Sequence, residues 1–369
     1  MTPTTSAENT SGALVFIAYI FAALFLTTYI LRTLFVLHSQ TSSSSSPSPQ
    51  RETPVKGWRI QLHASLAALS FAALSYHMLR FLILSYAAWA AERNLPVSSP
   101  FSLLGGLVPS KSTRGSARTG LGDLQLWQWS KTSTLFTDFA RELCASPRAW
   151  WWSLQALVGS WVWGVWMSAE GQTRHIPSLW AFFALAQILP VSFTMNLFFL
   201  ALLLTPRPTA MRSAKQPKPS SAGPSTPTVP LALSLAAYFA ALALAPVVAG
   251  YGNDAFMPLV LFLRVLLLSP FLLIRSNTTI ATATTSTTTS QSHSVYAYRT
   301  IYVALAVGWV TLGAWQSAVV GRAEKGVGRG GSKRHPNVLR DSAAVGALGW
   351  DFLIGVVSWS VWSWCWGGE

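Results

Sequence analysis

Four charged residues hold most of the chemical interest of this sequence, because they stand in or beside long apolar runs, where a charge is expensive. Asp351 and Arg264 lie inside such runs, Glu170 closes another, and Asp254 follows Asn253 in the short polar link before Phe256. A carboxyl group set among apolar walls or beside a second acid holds its proton to higher pH than in water, which a general acid working near neutrality requires. Asp351, Glu170 and Asp254 are therefore the candidate catalytic acids, with Arg264, His175, Asn253, Trp163 and Trp350 as supporting groups. Each has a plainer alternative: an ion pair between helices for Asp351 and Arg264, capping or loop solvation for Glu170 and Asp254. Arg80 lies toward the other face, where its long stem can carry the charge out to the interface.

Tryptophan is the second anomaly, with 18 copies. Most fit an interfacial belt, but Trp161, Trp163, Trp309 and Trp350 fall several residues inside the expected helix ends. There an indole face can stabilise a cation by cation–π attraction. Other chemistries lack their residues. No DDxxD or NxxxDxxxD marks a magnesium-diphosphate site, and the glycine-rich stretch from Gly326 to Ser332 is not a phosphate-binding loop. With only Cys144 and Cys365, and no Cys/His cluster at zinc spacing, neither a disulfide framework nor a metal centre is expected. No cofactor is expected either. What remains is acid chemistry in an oily, aromatic cavity, or no chemistry.

The elements that must position these groups are membrane helices. Of 369 residues, 51% are hydrophobic and 10% charged, against roughly 25% charged in soluble domains. That excludes a soluble enzyme. The net charge of +14 sits mostly in links between apolar runs, where Lys and Arg set topology, and does not indicate a nucleic-acid partner. Runs of this length and uniformity select helices over barrel strands, since each buried backbone N–H must find its acceptor within the segment.

The fold expected is an all-α integral membrane protein, one polytopic domain over residues 1–369. Eight spans are read: Ala13 to Leu37, Leu62 to Tyr86, Trp150 to Ala169, Pro177 to Leu204, Leu231 to Gly250, Phe256 to Ile274, Tyr296 to Val320 and Ala343 to Trp366. Connections at about 39–60, 205–230 and 276–295 are low in complexity and read as disordered. The stretch Leu121 to Cys144 reads as an interfacial amphipathic helix. An even number of spans puts both ends of the bundle on one side, side A. The sixth and eighth runs then enter from side B, with Arg264 and Asp351 each about eight residues in, roughly 12 Å deep at 1.5 Å per residue. At equal depth the two are expected to pair or to share a polar cavity. Glu170, His175, Asn253 and Asp254 would gather at that same side.

The segments LFTDFAREL, WWWSLQALVGSWVWGVWMSAEG and HIPSLWAFFALAQILPVSFTMNLFFLALLL in the stretch from Leu135 to Pro206, with the later AVGALGWDFLIG that holds Asp351, resemble a group of fungal multi-pass membrane proteins. That group includes the membrane-bound terpene cyclases of the ascochlorin and ascofuranone (meroterpenoid) type. The resemblance covers about a third of the chain. It implies metal-independent cyclisation of an epoxidised, farnesyl-type prenyl chain on a phenolic or polyketide-derived partner, in secondary metabolite biosynthesis at the endoplasmic reticulum membrane. The acidic positions it covers are Asp138, Glu142, Glu170 and Asp351. The expected partners are the lipid bilayer and a hydrophobic prenylated small molecule. A transporter and a non-catalytic structural membrane protein are the alternatives.

Overall fold

The computed structural model describes residues 10–43, 57–94, 126–205, 228–250, 254–283, 313–314 and 338–366. Every regular element among them is helical: α1 (Thr10–Ser43), α2 (Gly57–Glu92), α3 (Leu126–Thr132), α4 (Leu135–Cys144), α5 (Pro147–Thr173), α6 (Leu179–Ile188), α7 (Val191–Leu204), α8 (Thr228–Gly250), α9 (Phe256–Ala283), α10 (Val338–Asp341) and α11 (Ala343–Trp366). Among the described residues five helices are long and apolar enough to cross a bilayer: Gly12–Gln40, Gly57–Glu92, Val229–Gly250, Phe256–Ile274 and Ala343–Cys365. This is a multi-pass integral membrane protein. Helix α1 shows what lipid contact looks like, with Phe21, Leu24, Phe25 and Phe35 all exposed along it.

These five correspond to the first, second, fifth, sixth and eighth expected runs. The third run is α5, whose 27 residues would reach about 40 Å. Its Trp, Ser, Gln and Gly content lowers its hydropathy, and it sits largely inside the protein, with Ser153, Leu154, Trp161, Val165 and Ser168 buried. Its start is written locally: Pro147 occupies the first turn and the Ser146 side chain accepts from Ala149 N at 3.1 Å, a standard cap for otherwise unpaired N–H groups. The seventh run lies outside the described residues apart from Gly313 and Ala314. Two of the connections read as disordered begin as helix, since α1 continues to Ser43 and α9 to Ala283.

The fourth run is not one span. It is two helices of 10 and 14 residues, separated at Leu189, which is extended (φ −108°, ψ 172°), and Pro190 (φ −53°, ψ 140°). Proline has no N–H to continue α6 and forces its predecessor out of helical geometry. The chain doubles back there. Phe182 of α6 packs edge-on against Phe198 of α7 with ring centroids 5.6 Å apart, although sixteen residues of continuous helix would separate them by about 24 Å. At the open end, Arg174, just before α6, donates to Leu202 O near the end of α7 at 3.4 Å. Helices α6 and α7 thus form a hairpin whose tip packs within the bundle, Pro190 buried and Ile188, Leu189 and Val191 half-buried. Non-helical backbone at such depth is tolerated only where protein surrounds it.

This hairpin changes the topology. Helix α7 runs parallel to α11: Ser192 meets Asp351, Asn196 meets Ser358, and Phe199 stacks on Trp362. Helix α1 runs against α6, with Tyr19 at Ile188 and Tyr29 at Ser178, and is therefore parallel to α11. The expectation that both ends of the bundle lie on one side is overturned: the start of α1 and the end of α11 lie on opposite sides. Helices α5 and α9 point the same way as α11, through the contacts of Trp166 with Trp359 and Gly159 with Phe352, and of Phe271 and Arg264 with Phe183 and Gln187 of α6. Helix α2 runs the opposite way, His63 beside Trp362 and Arg80 at Arg340 O. It packs close at Gly346, where a Cβ would stand 2.6 Å from Leu339 O and 2.9 Å from the His77 ring.

Candidate functional site

A helix that begins inside a bundle presents N–H groups with no partner and the positive end of its dipole. Helix α7 has Pro190 at its cap and no side-chain cap of its own. Asp351 supplies one from α11: its two carboxylate oxygens accept from Ser192 N at 2.8 Å and Val191 N at 3.0 Å. The other side of the tip is served in the opposite sense. Arg264 of α9 donates to Gln187 O at 3.1 Å, and the Tyr19 hydroxyl donates to Ile188 O, so a cation and a hydroxyl meet the negative end of α6.

Arg264 and Asp351 therefore do sit at one level, as their equal depth implied, but they do not pair. Each bonds one half of the broken fourth run instead. Backbone groups at the break satisfy both charges, and no break was expected there.

Next to the tip, α5, α7 and α11 enclose a cavity of about 620 Å³, within the range usual for small-molecule sites. Of its polar groups, Gln155, Ser192 and Asp351 cluster at the tip, and Ser160 on α5 donates to Ala156 O. Its far end is aromatic and apolar, formed by Trp163, Trp166, Met195 and Trp359. Trp166 stands edge-on to Trp359 with centroids 4.9 Å apart, and Trp163 lies 5.0 Å from Trp166. The Trp163 indole N–H is buried and finds no partner among the described residues.

Behind Ser192 runs a polar seam that no feature of the sequence announces. The hydroxyls of Ser70 and Ser192 hydrogen-bond each other. Asn196 meets His63 Nδ1 at 3.0 Å through its Oδ1, and its amide donates to Ser358 Oγ and Ser192 O, each at 2.8 Å. His63, Ser70, Ser192, Asn196 and Ser358 are all buried. Single small polar residues in apolar runs look like ordinary helix content, and only the packing of α2, α7 and α11 puts them in one line. The pairing of His63 with Phe199 and Trp362, at 5.0 and 5.8 Å, fixes its ring.

The remaining candidates are elsewhere. Glu170 is bonded by Arg174 Nε at 2.6 Å, and Arg174, itself buried, ties the end of α5 to the end of α7. Glu170 also lies 15 residues beyond Gln155 on α5, roughly 22 Å along the axis, at the opposite end of the bundle from Asp254. The expected gathering of three carboxylates at one side fails because the hairpin reverses the direction assigned to α5 relative to α9 and α11. Asp254 is exposed before α9, His175 is exposed in a left-handed turn (φ 52°), and Asn253 lies outside the described residues. Trp350 points away from the cavity and is 46% exposed, whereas Trp163 lines it. The amphipathic segment is two helices in its described part, α3 and α4, with Glu142 accepting from Ser342 Oγ at 2.6 Å and so bracing the start of α11. Among the described residues no three of His, Cys, Asp and Glu come together as metal ligands would.

No protein-family model, no curated protein and no solved structure matches this chain.

Proposed function

We propose that the protein is a membrane-bound terpene cyclase that closes an epoxidised prenyl chain on a phenolic or polyketide-derived substrate, with Asp351 as the acid. One observation carries the reading: the single carboxyl group lining the cavity faces a space walled by Trp163, Trp166, Phe352 and Trp359. In the proposed step the Asp351 carboxyl proton passes to the epoxide oxygen and the C–O bond at the more substituted carbon breaks. The π electrons of a neighbouring alkene then form the new C–C bond. The cation that results loses a proton from an adjacent carbon, which returns to the carboxylate, so no external oxidant or reductant is needed. Aromatic faces lower the energy of the passing cation, and exclusion of water keeps it from being trapped as an alcohol. The two N–H bonds from α7 fix the acid in place. In the protonated state the hydroxyl oxygen gives up the longer of them, from Val191. The reading includes residence in the endoplasmic reticulum membrane.

Turnover of an epoxidised farnesyl phenol by membranes holding equal amounts of each protein tests this. Asp351→Asn keeps an acceptor for the α7 N-terminus but has no proton to give, and product should fall by a factor of about 100 or more, the scale of a lost general acid. Full product formation by that variant would remove Asp351 from the role.

The hairpin itself favours a second reading. Half-helix ends meeting at a cavity are a feature of transporters. Uptake of a lipophilic solute into vesicles, blocked by the same substitution and with no change in the solute's mass, would select it over the cyclase.

A further inference from the structure

The cavity is closed on one side and open on another, and the chemistry of its rim is uniform. Its floor is α7, where Ser192 and Met195 are buried. Its rim is formed by Gly159, Ser160 and Val162 of α5, all half-buried, and by Val356 and Trp359 of α11, which are 47% and 37% exposed. Val356 and Trp359 lie in the middle and second half of a membrane-crossing helix, so the surface they share with α5 faces acyl chains and not water. Along α11 the polar end of the cavity, at Asp351, and the aromatic end, at Trp359, are eight residues apart, roughly 12 Å.

We infer that the cavity is loaded sideways from the bilayer, through the gap between α5 and α11, by a single-chain amphiphile that lies along α11 with its hydroxyl or amine at the hairpin tip and its chain against Trp163, Trp166 and Trp359. A polar group buried in this oily space must find a hydrogen-bond partner, and the cavity concentrates them at the Gln155, Ser192 and Asp351 end: the Ser160 hydroxyl is spent on Ala156 O and the Trp163 N–H is buried within the wall. An anionic head is disfavoured there because Asp351 already takes the Val191 and Ser192 N–H groups and no Arg, Lys or His stands among the described lining residues. Gly159 and Gly355 leave the cavity its width, with the Phe352 ring 3.4 Å from where a Cβ at Gly159 would stand. A Cβ at Gly355 would stand 3.8 Å from both Met195 Cε and Ser192 Cβ, so anything larger than a methyl group at that position must enter the cavity. The inference rests on the same cavity as the cyclase reading but requires no turnover, so either can fail without the other.

Photolabelling of the full chain in lipid nanodiscs tests it. A long-chain alcohol with a diazirine at the chain end should label the peptides holding Trp163, Trp166 or Trp359, and one with the diazirine beside the hydroxyl should label those holding Gln155 or Ser192. The matching fatty-acid anion should label the cavity on the order of tenfold less, the ratio that about 1.4 kcal/mol of head-group preference gives. Gly355→Leu should reduce cavity labelling by a similar factor. Val356→Trp, at the mouth, should slow labelling while leaving its final extent unchanged. Labelling confined to the outer face of α1, a reversed head-to-tail pattern, or equal labelling of the Gly355→Leu protein would overturn the site. An unchanged rate in Val356→Trp would overturn the lateral route.

Discussion

Two helix triplets share this bundle and are held together by different means. Helices α5, α8 and α9 meet through Trp150, Leu154, Leu235, Leu242, Leu263 and Leu267, with a long-range hydrogen bond from the Tyr238 hydroxyl to Leu157 O at 3.0 Å. Helices α2, α7 and α11 are joined by the His63–Asn196–Ser358 and Ser70–Ser192 contacts and end at Asp351. In water both kinds of seam would gain from burying apolar area. In a bilayer lipid is as apolar as leucine, so apolar packing alone offers a helix little preference for protein over lipid. The half-span α7 cannot cross the membrane and exposes its N-terminus at depth, so it depends on the polar seam. The full spans α8 and α9 have no such need.

The largest test of this contrast is topological. Reporter tags at the start of α1 and the end of α11 should read opposite compartments, because α6 and α7 together do not cross. The same compartment for both would mean that the fourth run crosses after all and that the hairpin is absent.

Next in size is Asp351→Leu, which leaves the N–H groups of half-buried Val191 and buried Ser192 at the head of α7 without acceptors. Unmade buried bonds cost roughly 1–3 kcal/mol each, so a large loss of thermal stability in detergent is expected, with Asp351→Asn intermediate. Equal stability of the Leu protein would show that the cap does not hold the hairpin.

Substitutions in the two seams should then separate. Asn196→Leu strands His63 Nδ1 and removes the partner of Ser358 Oγ, for a loss of about 2 kcal/mol. Tyr238→Phe removes one bond to a carbonyl already inside a helix, for about 0.6 kcal/mol, the typical worth of an interhelical hydrogen bond in a membrane protein. Comparing the two unfolding midpoints checks the ordering, and equal losses would dissolve the distinction.

The smallest effect concerns Cys144, on α4 against the apolar seam. Burial pushes its thiol up to about 12. A thiol ionises near 8.5 when unfolded, so the folded protein should react slowly with a thiolate-directed reagent at pH 8 and quickly after denaturation. The sign for stability follows: the folded value is the higher, so burial of the neutral thiol stabilises the fold below about pH 8.5 and loses that contribution as pH rises toward 12. Equal alkylation rates of folded and unfolded protein at pH 8 would place Cys144 outside the seam.

How much of this could be read beforehand differs by residue. Asp351 and Trp163 were visible as cavity groups because a charge and an indole deep in apolar runs are anomalies of composition, and anomalies need no partner to be noticed. Glu170 was visible for the same reason and misread, since Arg174 lies four residues on, one helical turn away, and pairs with it. The Ser70, Asn196 and Ser358 positions carried no signal at all.

The amino-acid sequence by itself determined the class of the protein and one weak point in its fourth run. Apolar runs of membrane length demand helices, and Pro190 removes one N–H from the ladder, but α8 and α9 run on through Pro246 and Pro270, so the residue alone does not make a break. Tertiary structure alone decided what that point became. A proline in an apolar run can kink a helix that still crosses or can turn it back. The outcome depends on whether other helices bring acceptors and donors to the freed backbone groups at that depth. Here α11 brings Asp351, α9 brings Arg264 and α1 brings Tyr19, from positions 75 or more residues away along the chain. Local sequence carries no trace of contacts at such separation, and through them the direction of α5, the sidedness of Glu170 and the existence of the cavity were all settled at once.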